Sequence, residues 1–247
     1  NTAADCSNLA FITERYDRPP DIQISSQKGG SLVRLFQSNE FYEKFDWGRN
    51  EVVGYANSKG ELLSGILFFP AGYDASKKYP LIVHIYEEQL YQLHAYRNPT
   101  TNSEVGFSID HYLLNGYLVF LPDITYRLGD PGVSAADCVV AGTKKVLEMG
   151  VVDPGKVGLI GHSFGGYESY FIITQTDIFA AAVAGAGVSD MRSFYFSAGL
   201  LGVPDFFRSE NQQWRMGKSI FEDLEAYERN SPVKFAANVT TPLLHWA

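Results

Sequence analysis

The chain has 247 residues, 45% of them hydrophobic, with 28 acidic against 20 basic side chains and a formal charge of −8. That length and apolar fraction suffice for one large core or one core with an appendage, whereas the acidic balance and scattered Lys and Arg argue against nucleic acid or an anionic membrane as the main partner. The apolar runs at 81–86, 118–121 and 178–183 are too short to span a bilayer, and Cys6 and Cys138 are too few for a disulfide framework and lack metal-ligand spacing.

No basic, then apolar, then small-residue leader opens the chain, so no signal peptide is expected in it. The first residues read like the middle of a protein, which leaves the compartment open, an exported or periplasmic parent included.

Residues 1–44 are expected to form a β-meander with extended segments at 9–15, 21–25 and 31–36, separated by Pro19-Pro20 and Lys28-Gly29-Gly30. Such a unit buries too little to stand alone. It fits a propeller blade or an N-terminal edge of a larger sheet, and no second copy follows. From residue 45 to 247 a second unit is expected. Strands at 51–56, 62–69, 81–86, 117–122, 157–160, 181–184 and 243–246 alternate with helices at 108–115, 134–149, 166–174 and 221–229, the pattern of a mostly parallel sheet covered on both faces. Asp153-Pro154-Gly155 is expected to turn the chain into the 157–160 strand.

That strand runs into Gly161-His162-Ser163-Phe164-Gly165, and a helix follows. A G-x-S-x-G between strand and helix is the context of a nucleophile elbow. Glycine is needed on both sides, because a Cβ at either would collide with neighbouring backbone in so tight a turn. The turn exposes the Ser163 hydroxyl at the sheet edge, where the Phe164 amide and the helix N-terminus can stabilise negative charge. A serine nucleophile also needs a histidine base and an orienting carboxylate. Downstream of Ser163 the one histidine is His245, inside an apolar segment that reads as core or sheet face. His84, His94, His111 and His162 read as structural or surface groups, so the acid and histidine are expected beyond residue 247.

Together, Tyr79-Pro80-Leu81-Ile82-Val83, Leu121-Pro122-Asp123, Val152-Asp153-Pro154, the elbow extended by Gly166-Tyr167, Phe179-Ala180-Ala181, Asn230-Ser231-Pro232 and Thr241-Pro242-Leu243-Leu244 resemble the prolyl oligopeptidase family of serine peptidases, in particular its dipeptidyl and acylaminoacyl peptidase branch. The resemblance covers roughly residues 45–247. It implies an α/β-hydrolase domain preceded by a β-propeller, which favours the blade reading of residues 1–44. It implies hydrolysis of short peptides through an acyl-enzyme, with Ser163 as nucleophile, the Phe164 amide and the Tyr86 hydroxyl as the oxyanion hole, and Phe194 and Tyr195 lining the pocket beside the scissile bond. It implies no metal or organic cofactor. Short peptides are the expected partners, and homo-oligomerisation through regions outside the chain stays open.

The chain departs from the family's small residues after the tyrosine by placing Glu87 and Glu88 there. They read as two solvated loop acids, with pairing to a substrate's free amine as the alternative. The rivals to a peptidase are an esterase on the same fold and a noncatalytic peptide-binding protein.

Overall fold

The computed structural model describes residues 7–26, 30–100, 107–199, 202–204 and 206–246. Cys6 and most of the Lys28-Gly29-Gly30 turn lie outside the described residues.

Three antiparallel strands, β1 (Asn8–Arg15), β2 (Arg18–Ser26) and β3 (Val33–Gln37), form a sheet of their own in the order β1-β2-β3. Pro19 and Pro20 do not separate two strands, as the sequence suggested, but lie at the start of β2, where a missing N–H costs little. Their carbonyls still pair, since Gln37 Nε2 donates to Pro19 O at 3.0 Å and Ser38 N to Pro20 O at 3.1 Å. The sheet leaves Ile12, Leu35 and Phe36 exposed. It is fastened to the larger unit by Tyr16, which is buried against Phe68 at 5.1 Å between ring centroids and donates its hydroxyl to Asp110 at 3.3 Å.

The larger sheet contains β4 (Arg49–Ala56), β5 (Leu62–Phe69), β6 (Tyr79–Ile85), β7 (Leu118–Pro122), β8 (Val152–His162), β9 (Ala181–Gly185) and β10 (Leu243–Trp246), ordered β10-β9-β8-β6-β7-β5-β4. Pairing is parallel from β10 to β7, and β4 and β5 are antiparallel. The near-continuous apolar runs have a direct cause, because alternate residues of one strand enter different cores. Leu67 and Phe69 of β5, Leu81, Val83 and Ile85 of β6, and Leu118 and Phe120 of β7 pack with α2 (Pro131–Glu148) and α3 (Phe164–Gln175). Ile66, Phe68, Ile82, Val119 and Leu121 pack on the other face with Ile109 and Leu113 of α1 (Ile109–Leu114). Each fully buried side chain of this size stabilises the fold by roughly 1.5–3 kcal/mol.

The expected turn at Asp153-Pro154-Gly155 is an excursion within β8: Tyr79 pairs with Val152, and the next pair is Leu81 with Val157. The Asp153 carboxylate closes it by accepting from Gly155 N at 3.0 Å. Two short helices were not anticipated, α4 (Met191–Phe196) and α5 (Phe206–Glu210). Asp190 caps α4 by accepting from Arg192 N at 3.0 Å. The helix expected from residue 221 begins later, as α6 (Leu224–Arg229), because Asp223 accepts from Ala226 N at 3.1 Å and so fixes the start. The apolar segment carrying His245 forms β10, paired in parallel with β9, in keeping with the sheet-face reading. Among the described residues no helix is long and apolar enough to cross a membrane.

Candidate active site

β8 is flanked by β6 and β9, so the elbow at its carboxyl end emerges between two neighbours. Ser163 sits there at φ 58° and ψ −115°, a conformation costly for a residue with a Cβ. It is locked from both sides, its N–H donating to Gly185 O at 2.7 Å and its carbonyl accepting from Tyr167 N at 3.1 Å in the first turn of α3. The neighbouring glycines have the steric cause foreseen from the sequence. A Cβ on Gly161 would lie 2.1 Å from Gly165 O, and one on Gly165 would lie 2.4 Å from Ile85 O.

Ser163 is half-buried and lines an open cavity of about 420 Å³ together with Tyr86, His84, His162, Gln92 and Arg97. Phe164 is buried, and its backbone N–H opens α3 beside the serine, where the helix dipole favours negative charge. The structure therefore brings Ser163, the Phe164 amide and Tyr86 to one place. A larger groove of about 960 Å³ lies against α2 and the β4–β5 hairpin, but Ser163 is not among its walls.

Of the histidines near the serine, His84 stacks flat on Phe107 with 3.9 Å between centroids, and burial lowers its pKa to about 4. Such an imidazole is uncharged at neutral pH and a weak base. His162 stacks on Trp246 at 6.3 Å. Among the described residues neither hydrogen-bonds the Ser163 hydroxyl.

The aromatic pair expected to line a specificity pocket lies on α4, outside the walls of the serine's cavity. Tyr195 is buried, stacks on Phe206 at 4.7 Å and donates its hydroxyl to Glu210 at 2.6 Å. Burial and that hydrogen bond push its pKa up to about 12. Phe194 is half-buried, its ring 4.8 Å from that of Trp214.

Glu87 is not the solvated acid expected. It stands at φ 45° and accepts from Arg215 Nη2 at 2.7 Å, while Glu88 is exposed. Sequence reasoning missed the whole of this surrounding. Asp123, quoted only as part of a motif, holds the Tyr86 loop by accepting from Gln89 N at 2.5 Å and Leu90 N at 2.9 Å. Gln213 donates to the Tyr86 hydroxyl at 3.0 Å. Glu168, one turn along α3 from the serine, is fully buried beside Tyr126, and burial raises its pKa to about 8. The Asp was legible as the residue after β7, whereas the others carry no local signal.

The prolyl oligopeptidase family matches residues 120–246, just over half of the chain. An uncharacterized peptidase, YuxL, of Bacillus subtilis is 29% identical over 96% of this chain and 35% of its own length. Dipeptidyl-peptidase 5 of Porphyromonas endodontalis is 27% identical over 92% of this chain and 33% of its own length. The chain thus spans about a third of the length of these curated relatives. Among solved structures, the acylaminoacyl peptidase of Pyrococcus horikoshii superposes with a TM-score of 0.73 at 20% identity, covering 96% of this chain and 38% of that one. Dipeptidyl peptidase 4 of Porphyromonas gingivalis gives 0.72 at 20% identity over 96% and 35%. At that identity the superpositions show the fold alone, an α/β-hydrolase fold with a small antiparallel sheet before it.

Proposed function

The chain belongs to the prolyl oligopeptidase family, and from that premise we propose that it carries the nucleophile of a serine peptidase that hydrolyses short peptides through an acyl-enzyme. The observation that carries the reading is the placement of Ser163 at a strained elbow, half-buried, in one cavity with Tyr86 and next to the N-terminus of α3. Ser163 Oγ attacks the scissile carbonyl carbon and gives its proton to a histidine base. The carbonyl oxygen becomes an oxyanion that accepts from the Phe164 N–H and the Tyr86 O–H, two donors each able to supply on the order of 2–4 kcal/mol in the transition state. Collapse breaks the C–N bond, the histidine returns the proton to the leaving amine, and water then releases the acyl group by the same steps in reverse.

The histidine and its orienting acid we assign to parts of the protein outside residues 1–247, since the weak base His84 and the stacked His162 are poorly suited to the task. We read residues 1–44 as the end of a β-propeller and residues 45–247 as hydrolase domain. Phe194 and Tyr195 remain candidates for the specificity wall, Phe194 the better placed because its ring is less enclosed.

Labelling of the complete protein by a fluorophosphonate, followed by peptide mapping, tests the reading. An adduct at Ser163 that disappears in Ser163→Ala is expected. A protein that takes no label at Ser163 is a binding module instead, and turnover of p-nitrophenyl esters without turnover of any peptide would make it an esterase.

A further inference from the structure

The tripeptide Gln213-Trp214-Arg215 meets the Tyr86 hydroxyl and the Phe164 ring, so it touches both residues assigned to the oxyanion hole, although it lies more than a hundred residues from Tyr86 and about fifty from Phe164. Resting on the peptidase reading above, we infer that this tripeptide is a brace for the oxyanion hole and that Gln213 is a positioning residue, which turns the Tyr86 hydroxyl proton toward the substrate carbonyl.

The hydrogen-bond chemistry of Tyr86 leads there. A phenol has one proton to donate and lone pairs with which to accept. Gln213 Nε2 lies 3.0 Å from Tyr86 Oη and 3.5 Å from Glu87 Oε2. The second contact fixes the amide's orientation, because an ionised carboxylate can only accept, so the NH₂ end faces both oxygens. An NH₂ group offers the phenol nothing to donate to. Tyr86 therefore accepts from Gln213, and its proton stays available on the side of the hydroxyl that faces the cavity shared with Ser163.

The rest of the tripeptide holds the two walls together. Trp214 is buried and meets the Phe164 ring edge-on, 5.1 Å between centroids at 88°, so it packs the residue whose amide is the other donor. Arg215 donates to Glu87 Oε1 at 2.7 Å and places its guanidinium 4.5 Å above the Tyr126 ring. Arg215 and Glu87 stand at φ 51° and φ 45°, so two loops in an uncommon conformation are joined by one ion pair. Such conformations persist only where the surroundings over-determine them. Backbone contacts hold the same two residues: Arg215 O accepts from Gly129 N at 2.7 Å, and Glu87 O accepts from Ile124 N at 3.1 Å.

The test is the second-order rate of fluorophosphonate attack on Ser163 in the complete protein at pH 8, where the phosphoryl oxygen occupies the oxyanion site. Gln213→Leu and the isosteric Gln213→Glu both remove the donor, and each is expected to slow labelling about tenfold, less than loss of a donor itself. In a Tyr86→Phe background Gln213→Leu is expected to change nothing further, because the hydroxyl that Gln213 positions is gone. A merely structural role for Gln213 would slow labelling in both backgrounds alike. Unchanged labelling in Gln213→Leu and Gln213→Glu, or losses that multiply with Tyr86→Phe, would overturn the brace and leave the peptidase reading standing. A wild-type protein that is not labelled at Ser163 would overturn that reading and the brace with it.

Discussion

Glu168 and Tyr126 form a pair inside the protein, the Tyr126 hydroxyl donating to Glu168 Oε1 while Glu168 Oε2 is buried with no hydrogen-bond partner among the described residues. Burial is the main cause that lifts the Glu168 pKa to about 8; the Glu87 charge adds to it, and the Tyr126 hydrogen bond and Arg215 oppose it. At neutral pH the native carboxyl is therefore predominantly protonated.

The sign of the resulting pH dependence follows from proton counts. Unfolded, Glu168 titrates near the ordinary value of 4.5; folded, it holds its proton to about 8. Between those values the native state binds more protons than the unfolded state, so stability is complete below about pH 4.5 and falls as pH rises, by up to about 1.4 kcal/mol per unit. Glu168→Gln keeps the acceptor for Tyr126 and cannot ionise. The variant is expected to lose this slope and to exceed the wild type in stability at pH 8. Urea midpoints at pH 5, 6, 7 and 8 check it, and parallel profiles for the two proteins would show that Glu168 is not the titrating group.

Gly165 separates helix packing from loop packing. A Cβ there would meet the Ile85 carbonyl oxygen at 2.4 Å, a backbone atom of β6 that cannot swing aside. Gly165→Ala is expected to push the start of α3 away from β6 and so to part the Phe164 amide from Tyr86. Overpacking of this kind costs typically 1–3 kcal/mol, and Ser163 labelling should fall at least about a hundredfold with the loss of one oxyanion donor. Gly54, where a Cβ meets nothing within 4 Å, is the control, and Gly54→Ala should match the wild type in both Tm and labelling. Equal behaviour of the two variants would refute the steric account.

The fold was legible where the signal is local. Runs such as Leu118 to Leu121 are apolar at every position because each strand feeds two cores, and that pattern needs no knowledge of the partner. The elbow was legible for a similar reason, since Gly161 and Gly165 are dictated by atoms four residues away or on the adjoining strand. The brace was not. Gln213 reaches Tyr86 across 127 residues, and nothing in the order of Gln, Trp and Arg marks a loop that folds back on a distant strand end. Glu168 was missed for the opposite reason, because an acid in a helix reads as a solvated group unless its burial is known. The short helices α4 and α5 lack enough turns to display a period, and caps such as Asp190 are the only trace they leave.

Ser163 and Tyr86 should differ in kind as well as in size. In the proposed mechanism Ser163→Ala removes the atom that would bond to the acyl group, so peptide hydrolysis by the complete protein is expected to fall by at least about 10⁴-fold. Tyr86→Phe leaves nucleophile and base in place and removes one donor, for a loss of about 10²–10³ in kcat with KM nearly unchanged. A Tyr86→Phe effect confined to KM would assign the hydroxyl to substrate binding in the ground state.

Asp123 is the nearest test of whether the Tyr86 loop must be rigid. Its Oδ1 accepts from both Gln89 N and Leu90 N, so a single oxygen satisfies two backbone donors immediately after Glu88. Asp123→Ala leaves both N–H groups without that partner, at about 1–3 kcal/mol for each that stays buried. Asp123→Asn keeps an oxygen in the same place but gives up the charge assistance, so its loss should be the smaller one. Because Tyr86 lies three residues before Gln89, slackening there should appear as slower Ser163 labelling in the order wild type, Asp123→Asn, Asp123→Ala, with Tm following the same order. If Asp123→Ala lowered Tm while labelling below Tm kept the wild-type rate, Tyr86 would be held by Gln213 and the Glu87 ion pair alone, and the contribution of Asp123 would be to folding.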